Sequence, residues 1–226
     1  MPDFRFSTPE TLDEALRLAV SERLQEAIAL RGSATLVLSG GSTPRALYQQ
    51  LAQTPLRWDC VTVLLADERW VAADHEDSNE GMLRRLLLQG EAASAHFLSL
   101  CPGYPDVQAN LEIVEAQVSE LPTFDVVLLG MGLDGHTASL FPCSEQIAEA
   151  MTTPASVVMT QPKTAPHRRL SLSRTRLANC RWGALHIVGD DKVRVLKAIE
   201  PDAPAVNAPV SAFLPPRGSF EVWRSP

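Results

Sequence analysis

Four short apolar runs, separated by segments with helical periodicity, constrain the fold of this chain more than any other feature. The runs do not alternate cleanly between apolar and polar residues, which is typical of strands buried on both faces. They are residues 35–38, 61–65, 124–129 and 184–188. A long first helix is predicted from Pro9, and further helices are predicted at 44–53, 78–88, 106–121 and 190–199. This alternation predicts an α/β fold with a mainly parallel central sheet, flanked by helices on both faces in a Rossmann-like open sheet.

Length and charge limit the classes of protein to which the chain can belong. Its 226 residues are 45% hydrophobic and 21% charged, so the chain can bury one substantial core, and we expect a single domain, 1–226. The net charge of -7 is spread along the chain without a long basic run, which argues against a nucleic-acid partner. The sequence leaves the oligomeric state open, with a monomer favoured.

The sequence predicts a cytoplasmic protein with no membrane partner. No stretch approaches the roughly 18 apolar residues that are needed to cross a bilayer. Asp3, Arg5 and Glu10 lie where a signal peptide would need an apolar core. The four cysteines form no Cys-x-x-Cys pair, which argues against a zinc ribbon or a dithiol redox motif and favours reduced thiols.

Four loops are the candidate functional region, because ligands of such sheets bind outside the carboxyl ends of the strands. The loops that follow the four apolar runs are 39–43, 66–79, 130–141 and 189–191. The segment 142–166 is richer in Pro, Ser and Thr, and it is predicted to cover this region as part of a lid. A further short strand is predicted at 169–173.

The first loop contains Gly40, Gly41, Ser42 and Thr43, followed by Pro44 in the first turn of a helix. Paired glycines let the backbone approach an anion closely, and a helix N-terminus supplies free N–H donors and positive potential. This pattern indicates a phosphate or carboxylate site. The alternative is an ordinary strand-to-helix turn with a good cap. The Gly-Lys-Thr ending of a nucleotide P-loop is missing.

The second loop places Asp67, Glu68 and Arg69 directly after an apolar strand. Charged residues at this junction either point into the crevice at the strand ends or form a local ion pair, and the sequence does not decide between the two. The cluster 77–79 begins the next helix and is interpreted as a cap.

The third loop begins with Gly-Met-Gly-Leu-Asp-Gly at 130–135, which matches the Gly-x-Gly-x-x-Gly dinucleotide pattern. We discount that match because the segment that follows ends at Pro142, too early for a dinucleotide-binding helix. Asp134 and His136 lie two residues apart on a glycine-rich turn that is predicted to begin a helix. A helix N-terminus disfavours a protonated imidazole, so His136 is predicted to be neutral and able to act as a general base. The alternative is a structural histidine.

Two basic residues complete the candidate set. Arg169 is predicted at the head of a strand, and Lys192 lies in the first turn after the fourth loop, in a chain with only three lysines. Both are candidate phosphate ligands, although either could be a solvated surface charge. No metal site is predicted, because the remaining histidines show no metal-ligand spacing with His136; they are His75, His96, His167 and His186.

Together these segments resemble the 6-phosphogluconolactonases, from the first helix almost to the C-terminus. The specific string is Asp-Gly-His-Thr-Ala-Ser-Leu-Phe-Pro at 134–142, whereas Gly-Gly-Ser-Thr-Pro at 40–44 is shared with the glucosamine-6-phosphate deaminases of the same superfamily. The resemblance implies a lactone hydrolase with an α/β fold. Its reaction would open 6-phospho-D-glucono-1,5-lactone to 6-phospho-D-gluconate, the second step of the oxidative pentose phosphate pathway. It implies no metal or organic cofactor and a small sugar-phosphate lactone as the partner.

The resemblance also implies roles for individual residues. Ser42, Thr43 and the backbone at 40–41 would hold the 6-phosphate with Arg169 and Lys192. His136 would be the base that activates water, while Asp67, Arg69 and Asp134 would orient the ring, the water or the base without separable roles. Arg168 precedes Arg169, so the sequence leaves open which of the two reaches the phosphate; the Arg-Leu-Ser-Leu-Ser run at 169–173 favours Arg169.

Three alternatives remain at this stage. A deaminase or isomerase of the same fold would carry an Asn-Glu-Pro ending whose glutamate partners the histidine, whereas this chain has Leu-Phe-Pro at 140–142. A non-enzymatic sugar-phosphate sensor could keep the glycine loop without needing His136. A nucleotide-dependent dehydrogenase rests only on the discounted glycine pattern.

Overall fold

The strands form two sheets in the computed structural model, which describes residues 2–200 and 202–226. Within these residues the strands are β1 (Asp3–Arg5), β2 (Ala34–Leu38), β3 (Val61–Leu65), β4 (Asp67–Arg69), β5 (His96–Leu98), β6 (Phe124–Leu129), β7 (Val157–Thr160), β8 (Arg169–Leu172), β9 (Cys180–Val188) and β10 (Glu221–Ser225). All four predicted apolar runs are strands, although β9 begins four residues before the predicted run. The additional residues of β9 pair with β6, where Cys180 lies opposite Phe124.

Five of the seven helices in the described residues were predicted, and the four with predicted bounds at both ends agree to within two residues, whereas α5 and α6 were not predicted. They are α1 (Pro9–Arg31), α2 (Arg45–Ala52), α3 (Asn79–Leu86), α4 (Val107–Glu120), α5 (Ile147–Thr152), α6 (Arg174–Ala178) and α7 (Asp190–Ala198). α1 begins where the sequence predicts, because the Thr8 side chain accepts the backbone N–H of Thr11 and Pro9 follows the cap. It ends at Gly32, whose φ of 80° is left-handed. No helix in the described residues is both long enough and apolar enough to span a membrane.

The larger sheet has seven strands in the order β1-β10-β9-β6-β2-β3-β5, and every neighbouring pair is parallel. From β2 the chain moves outward to β3 and β5, and it then returns to the other side of β2 to form β6, β9 and β10. The strand order therefore reverses between β2 and β6. Ligands of open parallel sheets bind at this reversal, outside the carboxyl ends of the two strands.

Burial confirms that both faces of the larger sheet are covered. Every residue of β2 and β6 is buried, although successive side chains of a strand point to opposite faces. α1 packs against β2, β6 and β10, and α7 packs against β9. The prediction of a Rossmann-like parallel sheet flanked by helices is confirmed.

A second, smaller sheet was not predicted. It is antiparallel, in the order β4-β8-β7. The loop predicted at 66–79 therefore contains a strand, β4, whose charged sequence Asp-Glu-Arg gives no strand signal. Its partner β8 supplies the pairing, with Asp67 opposite Ser171 and Arg69 opposite Arg169. The segment 142–166 is likewise more than a covering loop, because it contains α5 and the paired strand β7.

The helix predicted to begin at His136 is absent from the described chain, and the prediction was wrong. Residues 130–146 form turns, and the next helix, α5, begins at Ile147. The loop is closed by its own hydrogen bonds instead. The N–H of Gly132 donates to the His136 carbonyl, and the Thr137 hydroxyl donates to the Gly130 carbonyl over 2.7 Å. The helix-dipole reason for a neutral His136 therefore fails.

Candidate active site

A cavity of about 370 Å³ opens at the strand-order reversal between β2 and β6. Its walls come from the loops after β2 and β6, from β4 and β8 of the smaller sheet, and from the first turn of α7. Nine of the ten predicted site residues line it: Gly40, Gly41, Ser42, Thr43, Asp67, Arg69, His136, Arg169 and Lys192. The tenth, Asp134, does not line the cavity but contacts His136.

Residues 40–43, named here the glycine loop, form one wall. Gly41 has a φ of 97°, a left-handed conformation that glycine adopts without steric cost. A Cβ on Gly40 would lie 2.0 Å from the Asn79 side-chain oxygen, so only glycine fits there. The helix that follows, α2, has no side-chain cap, which leaves its first N–H groups available to an anion.

Lys192 reaches the glycine loop from α7. Its ammonium group donates to the Thr43 hydroxyl over 3.2 Å. Burial lowers the pKa of Lys192, and no acidic group of the described residues offsets this effect. A half-buried cation without a carboxylate partner is well suited to bind an anionic ligand.

Two arginines face each other on the smaller sheet. Arg69 on β4 lies directly opposite Arg169 on β8, an arrangement of like charges that costs stability unless negative groups lie nearby. Asp67 supplies one of these, 3.8 Å from the Arg169 guanidinium, and Arg69 donates to the Asp77 carbonyl. Burial lowers the pKa of Arg169, an effect that Asp67 opposes and Arg69 strengthens. The pair gives this wall of the cavity a positive potential.

The neighbouring arginine lies elsewhere. Arg168 is exposed and is not among the residues that line the cavity, whereas Arg169 is buried and lines it. Arg168 precedes β8, whereas Arg169 is its first residue and pairs with Arg69 of β4.

His136 and Asp134 form a dyad at the cavity. Oδ1 of Asp134 lies 2.5 Å from Nδ1 of His136 and also accepts the His136 backbone N–H. Burial raises the pKa of Asp134, but the hydrogen bonds from the ring and the backbone N–H of His136 outweigh that effect and hold the pKa below its usual value. An ionised carboxylate at Nδ1 keeps the proton on that nitrogen and leaves the lone pair of Nε2 free to accept another.

Two further contacts fix the ring of His136. It stacks on Phe141 with ring centroids 3.9 Å apart and an interplanar angle of 22°. A Cβ on Gly132 would lie 2.1 Å from Cε1 of His136, so the ring occupies space that any other residue at 132 would take. The second glycine of the Gly-x-Gly pattern, Gly132, is therefore explained by the approach of an imidazole, without a dinucleotide.

The charged cluster after β3 divides between the cavity and the start of α3. Asp67 and Arg69 line the cavity, and Asp67 also accepts the Ser139 hydroxyl over 2.5 Å. Glu68 points away and accepts the Ser78 hydroxyl and the backbone N–H groups of Asn79 and Glu80 at the start of α3. Burial raises the pKa of Glu68, although these hydrogen bonds oppose the effect.

Sequence reasoning missed three residues of the site. Asn79 lines the cavity and donates to the Asp67 carbonyl, although the 77–79 cluster had been interpreted only as a cap; Ser78 does cap α3. Phe141 and Gly132 fix His136 as described above. The lack of a Cβ at residue 132, four positions before the histidine, was the available signal.

Comparison with known proteins agrees with this geometry. A family model described as glucosamine-6-phosphate isomerases/6-phosphogluconolactonase matches residues 7–222. A 6-phosphogluconolactonase of Pseudomonas putida is 44% identical over 208 residues, which cover 91% of this chain and 86% of that protein. One of Pseudomonas aeruginosa is 43% identical over 203 residues, 88% of this chain and 85% of that protein. The crystal structure of a 6-phosphogluconolactonase from Shewanella baltica superimposes with a TM-score of 0.95 at 40% identity, covering 100% of this chain and 98% of that chain.

Proposed function

The chain belongs to the family of glucosamine-6-phosphate isomerases and 6-phosphogluconolactonases, and on that premise we propose that it hydrolyses 6-phospho-D-glucono-1,5-lactone to 6-phospho-D-gluconate. This reaction is the second step of the oxidative pentose phosphate pathway. The observation that carries the proposal is the Asp134–His136 dyad, whose imidazole lines the same cavity as the glycine loop and Lys192.

The phosphate of the substrate is assigned to the glycine loop. The hydroxyls of Ser42 and Thr43 and the N–H groups at the start of α2 are its donors, and Lys192 and Arg169 supply positive charge. Binding at this remote group holds the lactone carbonyl in place for attack, which can replace much of the entropic cost of a bimolecular reaction.

His136 is assigned as the general base. Nε2 takes a proton from water as the water oxygen attacks the lactone carbonyl carbon, and a tetrahedral oxyanion forms. The oxyanion then collapses and the bond from the carbonyl carbon to the ring oxygen breaks. The imidazolium returns its proton to that oxygen, so one water is consumed and the product is a carboxylic acid with a free hydroxyl. A positioned base of this kind contributes about 10²–10⁴-fold to the rate.

The remaining charged residues are assigned supporting roles. Asp134 holds the Nδ1 proton and compensates the charge of the imidazolium. Asp67 orients Arg169 and is itself fixed by Ser139. Arg69, on the same wall, is positioned to attract the developing oxyanion. None of these steps uses a metal or an organic cofactor.

Phe141 favours the hydrolase over a deaminase of the same fold. In the deaminase pattern a glutamate of the Asn-Glu-Pro ending partners the histidine, whereas here the ring of Phe141 stacks on His136 at the matching position. An apolar ring cannot transfer protons between the carbons of a sugar. No comparable observation favours the sensor or the dehydrogenase.

Two assays on the same purified protein test the assignment. Proton release from freshly made 6-phosphogluconolactone, with spontaneous hydrolysis subtracted, is expected to be fast and saturable. Ammonia release from glucosamine 6-phosphate is expected to be absent. Turnover of the amino sugar with none of the lactone would end the assignment.

Location in the cytoplasm and a monomeric state are also part of the proposal. The four cysteines are free thiols, as expected in a reducing compartment. Gel filtration with light scattering would measure the oligomeric state directly.

A further inference from the structure

His75, Asp77 and His167 form a compact cluster outside the cavity lining. Nε2 of His167 lies 2.9 Å from Oδ2 of Asp77, and Nδ1 of His75 lies 3.9 Å from the same oxygen. One nitrogen of each ring and one carboxylate oxygen all lie within 4.8 Å of one another. This cluster has no signal in the sequence, because His167 is far from His75 along the chain and only the fold brings the two together.

The local structure aims the three side chains at one point. The backbone N–H of Asp77 donates to Nδ1 of His75 over 3.1 Å, which holds that ring beside the carboxylate, and a metal ion at Nδ1 would replace this hydrogen bond. His167, in the turn before β8, has a left-handed φ of 68°, and the two imidazole rings meet edge to face with centroids 5.5 Å apart. The Arg69 guanidinium contacts the Asp77 backbone carbonyl, so the carboxylate of Asp77 is not occupied by that cation.

We propose that His75, Asp77 and His167 bind a zinc ion. Two imidazole nitrogens and one carboxylate oxygen are a common ligand set for this metal, with water completing a tetrahedral site. Zinc bonds of about 2.0–2.2 Å place tetrahedral ligands roughly 3.3 Å from each other. The distances of 2.9 and 3.9 Å from the two ring nitrogens to Oδ2 of Asp77 lie on either side of that value, and all three ligand atoms lie within 4.8 Å, so rotations of the side chains would bring them into bonding range of one ion. The side chains are 28–48% exposed, which gives the ion access from solvent.

Zinc at this position would join two segments that are distant in sequence. His75 and Asp77 belong to the loop between β4 and α3, and His167 immediately precedes Arg168 and β8. The ion would thereby brace the edge of the smaller sheet and fix the carbonyl that receives Arg69. The site is separate from the Asp134–His136 dyad and does not depend on lactone hydrolysis.

Zinc titration by calorimetry of the metal-free full chain tests the proposal, with wild type compared with four single variants. Wild type is expected to bind one zinc per chain, and His75→Gln and His167→Gln are each expected to weaken binding at least tenfold. Even loss of a residue that only supports a metal ligand commonly weakens metal affinity by about 10–100-fold. His96→Gln is the matched control, because His96 is an exposed histidine on β5 away from the cluster. It should bind as wild type does.

His136→Gln distinguishes this site from the catalytic dyad, which also offers a nitrogen and a carboxylate. Zinc binding that survives in His75→Gln and His167→Gln, or that disappears in His136→Gln, would overturn the proposal. Cobalt(II) gives a readout on wild type alone, which covers the case in which a variant fails to fold. One equivalent is expected to give the intense visible absorption of a tetrahedral nitrogen and oxygen site, and zinc should displace it; absence of that band would contradict the proposed geometry.

Discussion

Oδ1 of Asp134 lies 2.5 Å from Nδ1 of His136, and the ring that it holds lines a cavity that Lys192 also lines. Asp134 and His136 lie two positions apart in the sequence, and the turn between them favours glycine at 135, where φ is 78°. The geometry thus specifies one tautomer and one free nitrogen. We expect activity to depend on the Asp134–His136 dyad and ligand binding to depend on Arg169 and Lys192.

Asp134→Asn is expected to lower kcat by about 10²-fold or more, because an amide can stabilise the wrong tautomer of the imidazole. KM should stay within about threefold, since Asp134 does not line the cavity. Steady-state kinetics on the lactone measure both constants. An unchanged kcat would show that the carboxylate does not orient the base.

The pH dependence of the wild-type enzyme follows from the Asp134 carboxylate. Its pKa is held below the usual value, so the group stays ionised from neutral pH down to about pH 4. The stabilisation from the dyad is therefore present above that range and is lost as pH falls through the lowered pKa. The difference in Tm between wild type and Asp134→Asn should shrink as the pH falls below the usual carboxyl pKa of 3.8, and a difference that grew would contradict the assignment.

Gly132→Ala is expected to lower kcat by about 10²-fold, since displacement of a catalytic group by about 1 Å can cost that much. The added Cβ would lie 2.1 Å from Cε1 of His136 and would push the ring away. Affinity for 6-phosphogluconate, measured by calorimetry, should be nearly unchanged because the glycine loop is untouched. A large loss of affinity with normal kcat would show that Gly132 affects ligand binding and not the position of the His136 ring.

Arg169 and Arg168 provide a matched pair. Arg169→Ala is expected to weaken binding of 6-phosphogluconate by about 10–100-fold, because a hydrogen bond to a charged group contributes about 1.5–3 kcal/mol. Arg168→Ala should leave binding within about twofold, since Arg168 is exposed outside the cavity. Weakened binding in Arg168→Ala with normal binding in Arg169→Ala would assign the phosphate contact to Arg168 instead. Tm is measured in parallel, because removing Arg169 leaves buried Asp67 without its cation.

Phosphate binding is expected to weaken at alkaline pH, because Lys192 loses its positive charge there. Burial lowers the pKa of Lys192 from its usual 10.5, so the ligand-free protein loses this charge at a lower pH than for an exposed lysine. The Kd for 6-phosphogluconate should therefore rise as pH increases through the alkaline range. Lys192→Arg should flatten that dependence, because a guanidinium remains charged. Identical pH profiles for wild type and Lys192→Arg would exclude Lys192 as the titrating group.

Much of the fold was predictable from the sequence, because buried parallel strands have a distinctive composition. β2, β3 and β6 are mostly apolar runs, and the caps at Thr8 and Ser78 mark helix starts by local chemistry. Once strand and helix alternate, the position of the ligand cavity follows from topology. The ten candidate residues came together for this reason.

The remaining features depend on tertiary contacts that have no local signal. β4 is a strand only because β8 pairs with it, and the segment after His136 turns back because Gly132 and Thr137 close it with hydrogen bonds. The sequence therefore identified His136 correctly as a cavity residue for a reason that was partly wrong. The cluster at His75 and His167 was likewise beyond sequence reasoning, because its members belong to separate loops.

Replacement of the base tests the central claim most directly. Proton release from fresh 6-phosphogluconolactone is measured for wild type, His136→Ala and the exposed control His96→Ala, with 6-phosphogluconate affinity measured on each protein. We predict that His136→Ala lowers kcat by about 10²–10⁴-fold while the affinity and the control stay near wild type. A His136→Ala enzyme that retained wild-type kcat on the lactone would contradict the assignment of this imidazole as the base.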